Sequence, residues 1–297
     1  MTIKERIAAW RQAFSDEENG IHSTLVRLAW KHATYLVVLK AFELSPETKT
    51  GKKQANDMLL ELIADGYWPF MVLAIRRLTD KDKIEGQKGV YSLRSVIRDI
   101  RKHRDALNRK VFLEDISEQP YDYESIDLAH ADFIRQSEPG VIWTPKHLIS
   151  SESKRRYREF DFLSGVDSSQ RNPEDLIQES IFDRLEERIK RLDKIADHAT
   201  IYYAHAATAS SRANRGLTEW GTEDAETALK ILAETAQLVG SWFLYSGIGD
   251  ILPTPQYNQF EFIDKPFFCG EISELEKTWS NFAKRVSGWP YVEDASL

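Results

Sequence analysis

Apolar side chains recur at three- and four-residue spacing along most of this chain. Such a sequence buries its apolar surface by packing helices against one another. Residues 21–44 carry this period and stop before Pro46, and residues 53–79 form a second long segment. Gly66 and Pro69 are expected to kink or split the second one, because proline removes a backbone donor and clashes with the preceding turn. A third segment, 92–108, opens at Ser92 as N-cap. Asn172-Pro173-Glu174-Asp175 predicts a helix running from 173 to about 213, with Gly216 near its end. Residues 223–246 make another amphipathic helix, and Ser273 with Glu276 resembles a capping box opening a last one to about residue 286. Residues 111–172, with Pro120, Pro139 and Pro145 and the short piece Val141-Ile142-Trp143, break the pattern and are expected to form a long irregular, partly mobile insertion with one short strand or small helices. The expected fold class is therefore all-α: a helical bundle with an insertion and a C-terminal helix.

Length, at 297 residues, allows a substantial core in one elaborated domain or two small ones, and a single elaborated domain is the expectation. The longest uninterrupted apolar run, Trp68 to Ile75, falls short of the roughly 18 residues that span a bilayer, so no membrane association is expected. A single cysteine, Cys269, leaves no intrachain disulfide and no Cys-based zinc cluster. The N-terminus lacks the apolar stretch of a secretory signal, and a cytoplasmic location is the expectation. With a net charge of −7 the chain is not a globally basic nucleic-acid binder. A polyanion partner has to meet a local patch, and two basic clusters offer one: Arg94 to Lys110, including Arg98, Arg101, Lys102 and Arg104, and Lys154 to Arg158.

One pattern points to chemistry. Arg184, Arg191, His198, His205 and Arg212 are spaced seven apart in the segment expected to be a single helix. A seven-residue step drifts by only about 20° around a helix, so the five would form one slanting ribbon roughly 42 Å long. Tyr202 joins its face, and the ribbon borders an apolar stripe that includes Leu185, Leu192 and Ala196. A half-dehydrated imidazole there can exchange protons near neutrality, and a neighbouring guanidinium can hold a phosphate. These are the needs of RNA cleavage by attack of a 2′-hydroxyl on the adjacent phosphorus. The bland alternative is that the ribbon covers the core edge and pairs with Glu186, Glu187 or Asp193. A metal site is not expected: histidines seven apart rise about 10.5 Å along a helix, and the His-x3-His spacing is missing. No dinucleotide or phosphate loop, nucleophile elbow or zinc-protease motif occurs, and no cofactor is expected.

The pieces FMVLAIRRLTD at 70–80, SLRSVIRDI at 92–100 and IADHATIYYAHA at 195–206, taken in that order, resemble the HEPN superfamily, closest to its branch associated with abortive infection of the U type. The similarity covers about 20–110 and 173–246, the expected bundle core, and leaves 111–172 as insertion and 250–297 as C-terminal extension. The resemblance implies an up-and-down bundle, commonly a homodimer, and in active members a metal-independent RNase with an Arg, four to six residues, then a His. Arg191–His198, Arg98–His103 and Arg27–His32 all fit that spacing. Ala204-His205 is most similar to the family's motif histidine, but no arginine stands four to six residues before it. The implied catalytic set is His205 and His198 exchanging protons, Arg191 gripping the phosphate and Tyr202 positioning it, with Arg98, Arg101, Lys102, Arg104 and Arg212 tracking RNA. The alternative is a non-catalytic binding or scaffold protein, with a protein partner in a defence or toxin–antitoxin system.

Overall fold

The computed structural model describes residues 2–84, 86, 89–204, 207–213, 220–265 and 270–288. They divide into two compact units, Met1–Pro253 and Thr254–Leu297.

Among the described residues, the first unit is all helical apart from two isolated bridges, Glu47 with Lys53 and Asn108 with Leu176. Its helices are α1 (Ile3–Ser15), α2 (Ile21–Glu43), α3 (Asp57–Leu78), α4 (Leu93–Lys102), the single turn α5 (Arg109–Val111), α6 (Tyr123–Gln136), α7 (Ser151–Ser164), α8 (Glu179–Lys190), α9 (Asp193–His198), the single turn α10 (Ala209–Arg212) and α11 (Thr222–Val239). Wider π turns follow three of them, at Phe112–Ile116, Ala199–Ala204 and Gly240–Leu244. Helices α2 and α3 pack on each other and on α11, α9 and its π turn lie along α3, and α4 lies along α8. The core runs through all of them: Trp10, Leu25, Leu28, Met71, Ile75, Ile97, Phe160, Phe182 and Leu232 are among its fully enclosed side chains. The second unit holds one helix among its described residues, α12 (Ile272–Gly288).

Several expectations need correction. Helix α3 runs through Gly66 and Pro69 without being split there. Pro69 deprives the Asp65 carbonyl of its i+4 donor, but Asp65 is exposed, so water can take that place. At 22 residues α3 is also long and apolar enough to cross a membrane by length and composition, although no uninterrupted apolar run is. Here Tyr67, Met71, Val72, Ile75 and Leu78 are buried in the bundle. The helix expected from residue 173 begins only at Glu179. The carbonyls of Pro173 and Asp175 instead accept the amides of Lys110 and Arg109, at 3.1 and 3.0 Å, supplying acceptors for the first turn of α5. It is also not one rod: it breaks after Lys190, resumes at Asp193, and widens into the π turn at Ala199.

The segment 111–172 carries two 14-residue helices, α6 and α7. Helix α7 buries Arg156, Tyr157, Phe160 and Leu163 in the common core and ends at Gly165, whose φ of +69° terminates the helix as a left-handed cap. Two arginines anchor it. Arg109 reaches Asp161 at 2.7 Å and Asp175 at 3.0 Å, and Arg156 bonds Ser117 at 2.7 Å and the carbonyl of Ser241 at 2.9 Å. Ser273 lies inside the first turn of α12 rather than at its cap.

Candidate functional site

Helix α4 organises the most chemically suggestive region. Ser92 caps it as expected, accepting the Ser95 amide at 2.9 Å while Ser95 Oγ accepts the Ser92 amide at 3.2 Å. The serine hydroxyl also donates to the Asp80 carbonyl at 2.7 Å, tying the helix start to the loop before it. The arginines of α4 turn to acids of α8 and α9. Arg94 is buried and meets Asp193 at 2.7 Å; Arg98 meets Glu186 at 2.8 Å; Arg101 meets Glu179 at 2.6 Å and Asp183 at 2.9 Å. Arg104 donates to the Ile177 carbonyl. Much of the expected RNA-tracking set therefore faces the carboxylates of α8, where burial alone would lower the Arg101 pKa but the two acids raise it.

A cleft of about 290 Å³ also adjoins α4. It is lined by Arg6 of α1, by Lys81, Asp82, Lys83 and Ile84 of the preceding loop, and by Ser95, Arg98, Asp99 and Lys102. Five cations face two carboxylates, and one of those acids is already engaged. Asp99 Oδ2 accepts the Trp10 indole N–H at 2.7 Å and Arg6 at 3.4 Å. Lys81, Lys83 and Lys102 form no ion pair within the described residues. A concave, cation-lined wall of this kind attracts phosphate.

His103 stands one residue past the end of α4, against Trp10, with ring centroids 6.4 Å apart. Its Nδ1 lies 2.8 Å from the Asp99 backbone carbonyl and 3.7 Å from the Asp99 carboxylate. A carbonyl only accepts, so in the neutral ring Nδ1 carries the proton and Nε2 keeps its lone pair. In that tautomer Nε2 is the nitrogen able to accept a proton. The three Arg–His pairs of suitable spacing thus differ in setting. Arg27 turns to the Glu18 carbonyl at 2.8 Å, while His32 is buried against the Tyr67 hydroxyl at 2.7 Å and burial lowers its pKa. Arg191 lies exposed at the break between α8 and α9, separated from His198 by that break. Arg98 lines the basic cleft, with His103 at the end of the same helix.

The described ribbon residues have separate surroundings, along a helix that is interrupted at 191–192. Arg184 donates to the Ser180 carbonyl at 3.2 Å and lies over the Phe162 ring, whereas His198 stacks on Tyr202 with centroids 4.4 Å apart and meets the edge of Tyr203 at 5.7 Å. Burial lowers the His198 pKa. Tyr202 donates its hydroxyl to the Arg212 carbonyl at 3.4 Å, so His198, Tyr202 and the α10 turn are brought together. His205 lies outside the described residues, as do Gly216 and Cys269. The carboxylates expected to pair with the ribbon are used elsewhere: Glu186 and Asp193 by α4, Glu187 by Lys190. Among the described residues no group of three or more His, Cys, Asp or Glu is placed to hold a metal ion. Sequence reasoning finds the Arg98–His103 spacing but not its surroundings. Arg6, Trp10, Lys81 and Lys83 come from remote positions, and only the fold assembles them.

Residues 12–134 match the family model HEPN_AbiU2, described as AbiU2. The match takes in the pieces at 70–80 and 92–100 and enters the expected insertion, and the piece at 195–206 lies beyond it. No curated protein and no solved structure matches the chain.

Proposed function

From the premise that residues 12–134 are a HEPN segment of the abortive-infection U branch, we propose that this protein cleaves RNA without a metal ion, using His103 and the cleft beside it. The observation that carries this reading is the contact of His103 Nδ1 with the Asp99 carbonyl at the end of a helix whose Arg98 and Lys102 line a cation-rich cleft. In the proposed step, His103 Nε2 takes the proton of a ribose 2′-hydroxyl. The oxygen attacks the adjacent phosphorus, and the bond to the 5′-oxygen of the next nucleotide breaks. The products are a 2′,3′-cyclic phosphate and a 5′-hydroxyl, whose proton comes from an imidazolium. A second copy of the chain, bringing its own His103, supplies that acid in a homodimer. Arg98, Arg6 and Lys102 offset the charge that builds on the phosphoryl oxygens. Asp99 acts as a positioning residue through its carbonyl and carboxylate.

The site first read from the sequence, with His198, His205, Arg191 and Tyr202 as catalytic residues and Arg212 on the RNA, is retained as a competing location. It is favoured by the desolvated His198 ring stacked on Tyr202. The non-catalytic scaffold reading, in which the protein serves a defence system in the cytoplasm through a protein partner, has its own support. Arg98 and Arg101 are held by α8 carboxylates. One experiment separates the three. Single-stranded RNA is incubated in excess chelator with wild type, His103→Ala and His198→Ala, and the 3′ ends of any products are identified. Loss of cleavage in His103→Ala alone supports the cleft, loss in His198→Ala alone moves the site to α9, and an inert wild type leaves the scaffold.

A further inference from the structure

A second basic cleft lies against the first. It encloses about 580 Å³ and is lined by Asn19, Leu73, Arg76, Arg77, Asp80, Gly89, Val90 and Tyr91. The loop between α3 and α4 is the partition: it gives Asp80 and residues 89–91 to this cleft and Lys81, Asp82, Lys83 and Ile84 to the other. Asp80 and Lys81 are consecutive, so lining residues of the two clefts have Cα atoms only about 3.8 Å apart.

The partition is anchored at both ends. Ser92 bonds the Asp80 carbonyl at 2.7 Å and the Val90 amide bonds the Lys83 carbonyl at 2.9 Å. Gly89 is required within it, since a Cβ there would stand 2.3 Å from the Ile84 carbonyl oxygen. The wall is therefore a built feature.

The two guanidiniums in the second cleft are not neutralised by carboxylates among the described residues. Arg76 donates to Thr200 Oγ1 at 2.8 Å, and Arg77 donates to the backbone and side-chain oxygens of Asn19 at 2.7 and 3.0 Å. These neutral acceptors orient the groups but leave their charge. Burial and the nearby Arg27 both disfavour the charged form of Arg77, while Asp16 opposes them. The Asp80 carboxylate in the lining is turned to the amide of Asp82, at 2.9 Å. Tyr91 is half-buried and adds an aromatic face. Oriented cations beside an aromatic ring in a groove are what a single strand uses, phosphate on the cations and base on the ring.

We propose that the Arg76–Arg77–Tyr91 cleft is a second phosphate subsite for the substrate strand, so that a single-stranded RNA crosses the partition formed by residues 80–84 and 89–91 with one phosphate on each side. This rests on the ribonuclease reading, and its test reads binding separately from cleavage. A labelled single strand of about twelve nucleotides is titrated with the full chain by fluorescence anisotropy between about 50 and 200 mM salt. A duplex of the same sequence and inorganic phosphate serve as competitors. The variants are Arg77→Gln, Arg76→Gln and, for equal charge loss at an exposed turn elsewhere, Lys49→Gln, each checked by thermal melting.

Arg77→Gln is expected to weaken strand binding by about tenfold and to reduce the slope of log affinity against log salt by about 0.7. Arg76→Gln follows in the same direction, Lys49→Gln matches wild type, and the duplex competes poorly. Wild-type affinity and slope in both arginine variants overturn the proposal, as does a wild-type chain that binds no strand. Loss of phosphate binding in Arg77→Gln with strand binding unchanged makes the cleft a free-anion site and overturns it as well. His103→Ala keeps the ribonuclease reading distinct. If that variant cleaves like wild type, the reading at the first cleft falls, whatever the anisotropy shows for Arg77.

Discussion

Arg109 is fully enclosed, with its guanidinium between Asp161 and Asp175 and over the ring of Phe160, 4.8 Å to the centroid. Such an ion pair contributes little net stability relative to an apolar replacement of both partners, but deleting one member strands the other charges in the core. Arg109→Met is expected to destabilise the chain by about 3–5 kcal/mol in urea unfolding. Arg109→Lys should recover only part of this, since an ammonium lacks the planar fork that reaches both acids. The acids also set an acid limit on stability. Burial would raise the Asp161 carboxyl, but hydrogen bonds from Arg171 and Arg109 hold it below its ordinary value. Glu152 is held at about 2 against an ordinary 4.5, first by the Arg155 hydrogen bond and, against the opposing effect of burial, by Tyr245. A carboxyl whose folded pKa is depressed stabilises the fold fully above its unfolded pKa and loses that contribution as pH falls through the folded one. Unfolding free energy should therefore decline between about pH 4.5 and pH 2, and Glu152→Gln should flatten that decline. A slope equal to wild type in Glu152→Gln would assign the decline to other carboxylates.

At the scale of elements, what is legible in the sequence depends on how local its cause is. The Ser92 cap, the stop before Pro46 and the span of α11 are decided within a few residues, and each is visible as a sequence pattern. The start of α8 is misplaced by sequence pattern because Asp175, which reads as a helix-dipole acid, is used by Arg109 across 66 residues of chain. Helix α7 is hidden for a related reason: Arg156 reads as a surface charge but is enclosed by Ser117, the Ser241 carbonyl and the rings of Phe112 and Tyr245. The ribbon of Arg184 to Arg212 assumes an unbroken α-helix. A turn at 191–192 and a π turn at Ala199–Ala204, with its wider hydrogen-bond spacing, interrupt that helix. Spacing alone also cannot rank the three Arg–His pairs. Arg27–His32 and Arg98–His103 both sit on or beside one helix with four residues between them, yet one histidine is enclosed and the other is next to a basic cleft. The difference lies in Lys81, Lys83 and Arg6, which no local pattern connects to α4.

For the whole molecule, the distribution of buried apolar residues separates the two units energetically. The core of enclosed hydrophobic side chains begins at Ile7 and its last member among the described residues is Ile248, so every one of them lies within Met1–Pro253. Removing residues 254–297 deletes none of them, and the chain 1–253 is expected to fold with a cooperative melt within a few degrees of the full chain. The second unit has the opposite character. Along α12, Ile272, Leu275, Trp279 and Phe282 recur at helical spacing and are exposed, from 51% at Leu275 to 71% at Trp279. An exposed apolar stripe of this length binds hydrophobic probes and promotes association. The shorter chain should therefore bind less of an environment-sensitive dye and show less concentration-dependent association in sedimentation. Trp279→Glu in the full chain should reproduce both changes while leaving the melt in place. A large fall in melting temperature for 1–253 would instead mean that the C-terminal residues contribute to the stability of the first unit, and the two could no longer be treated as independent cores.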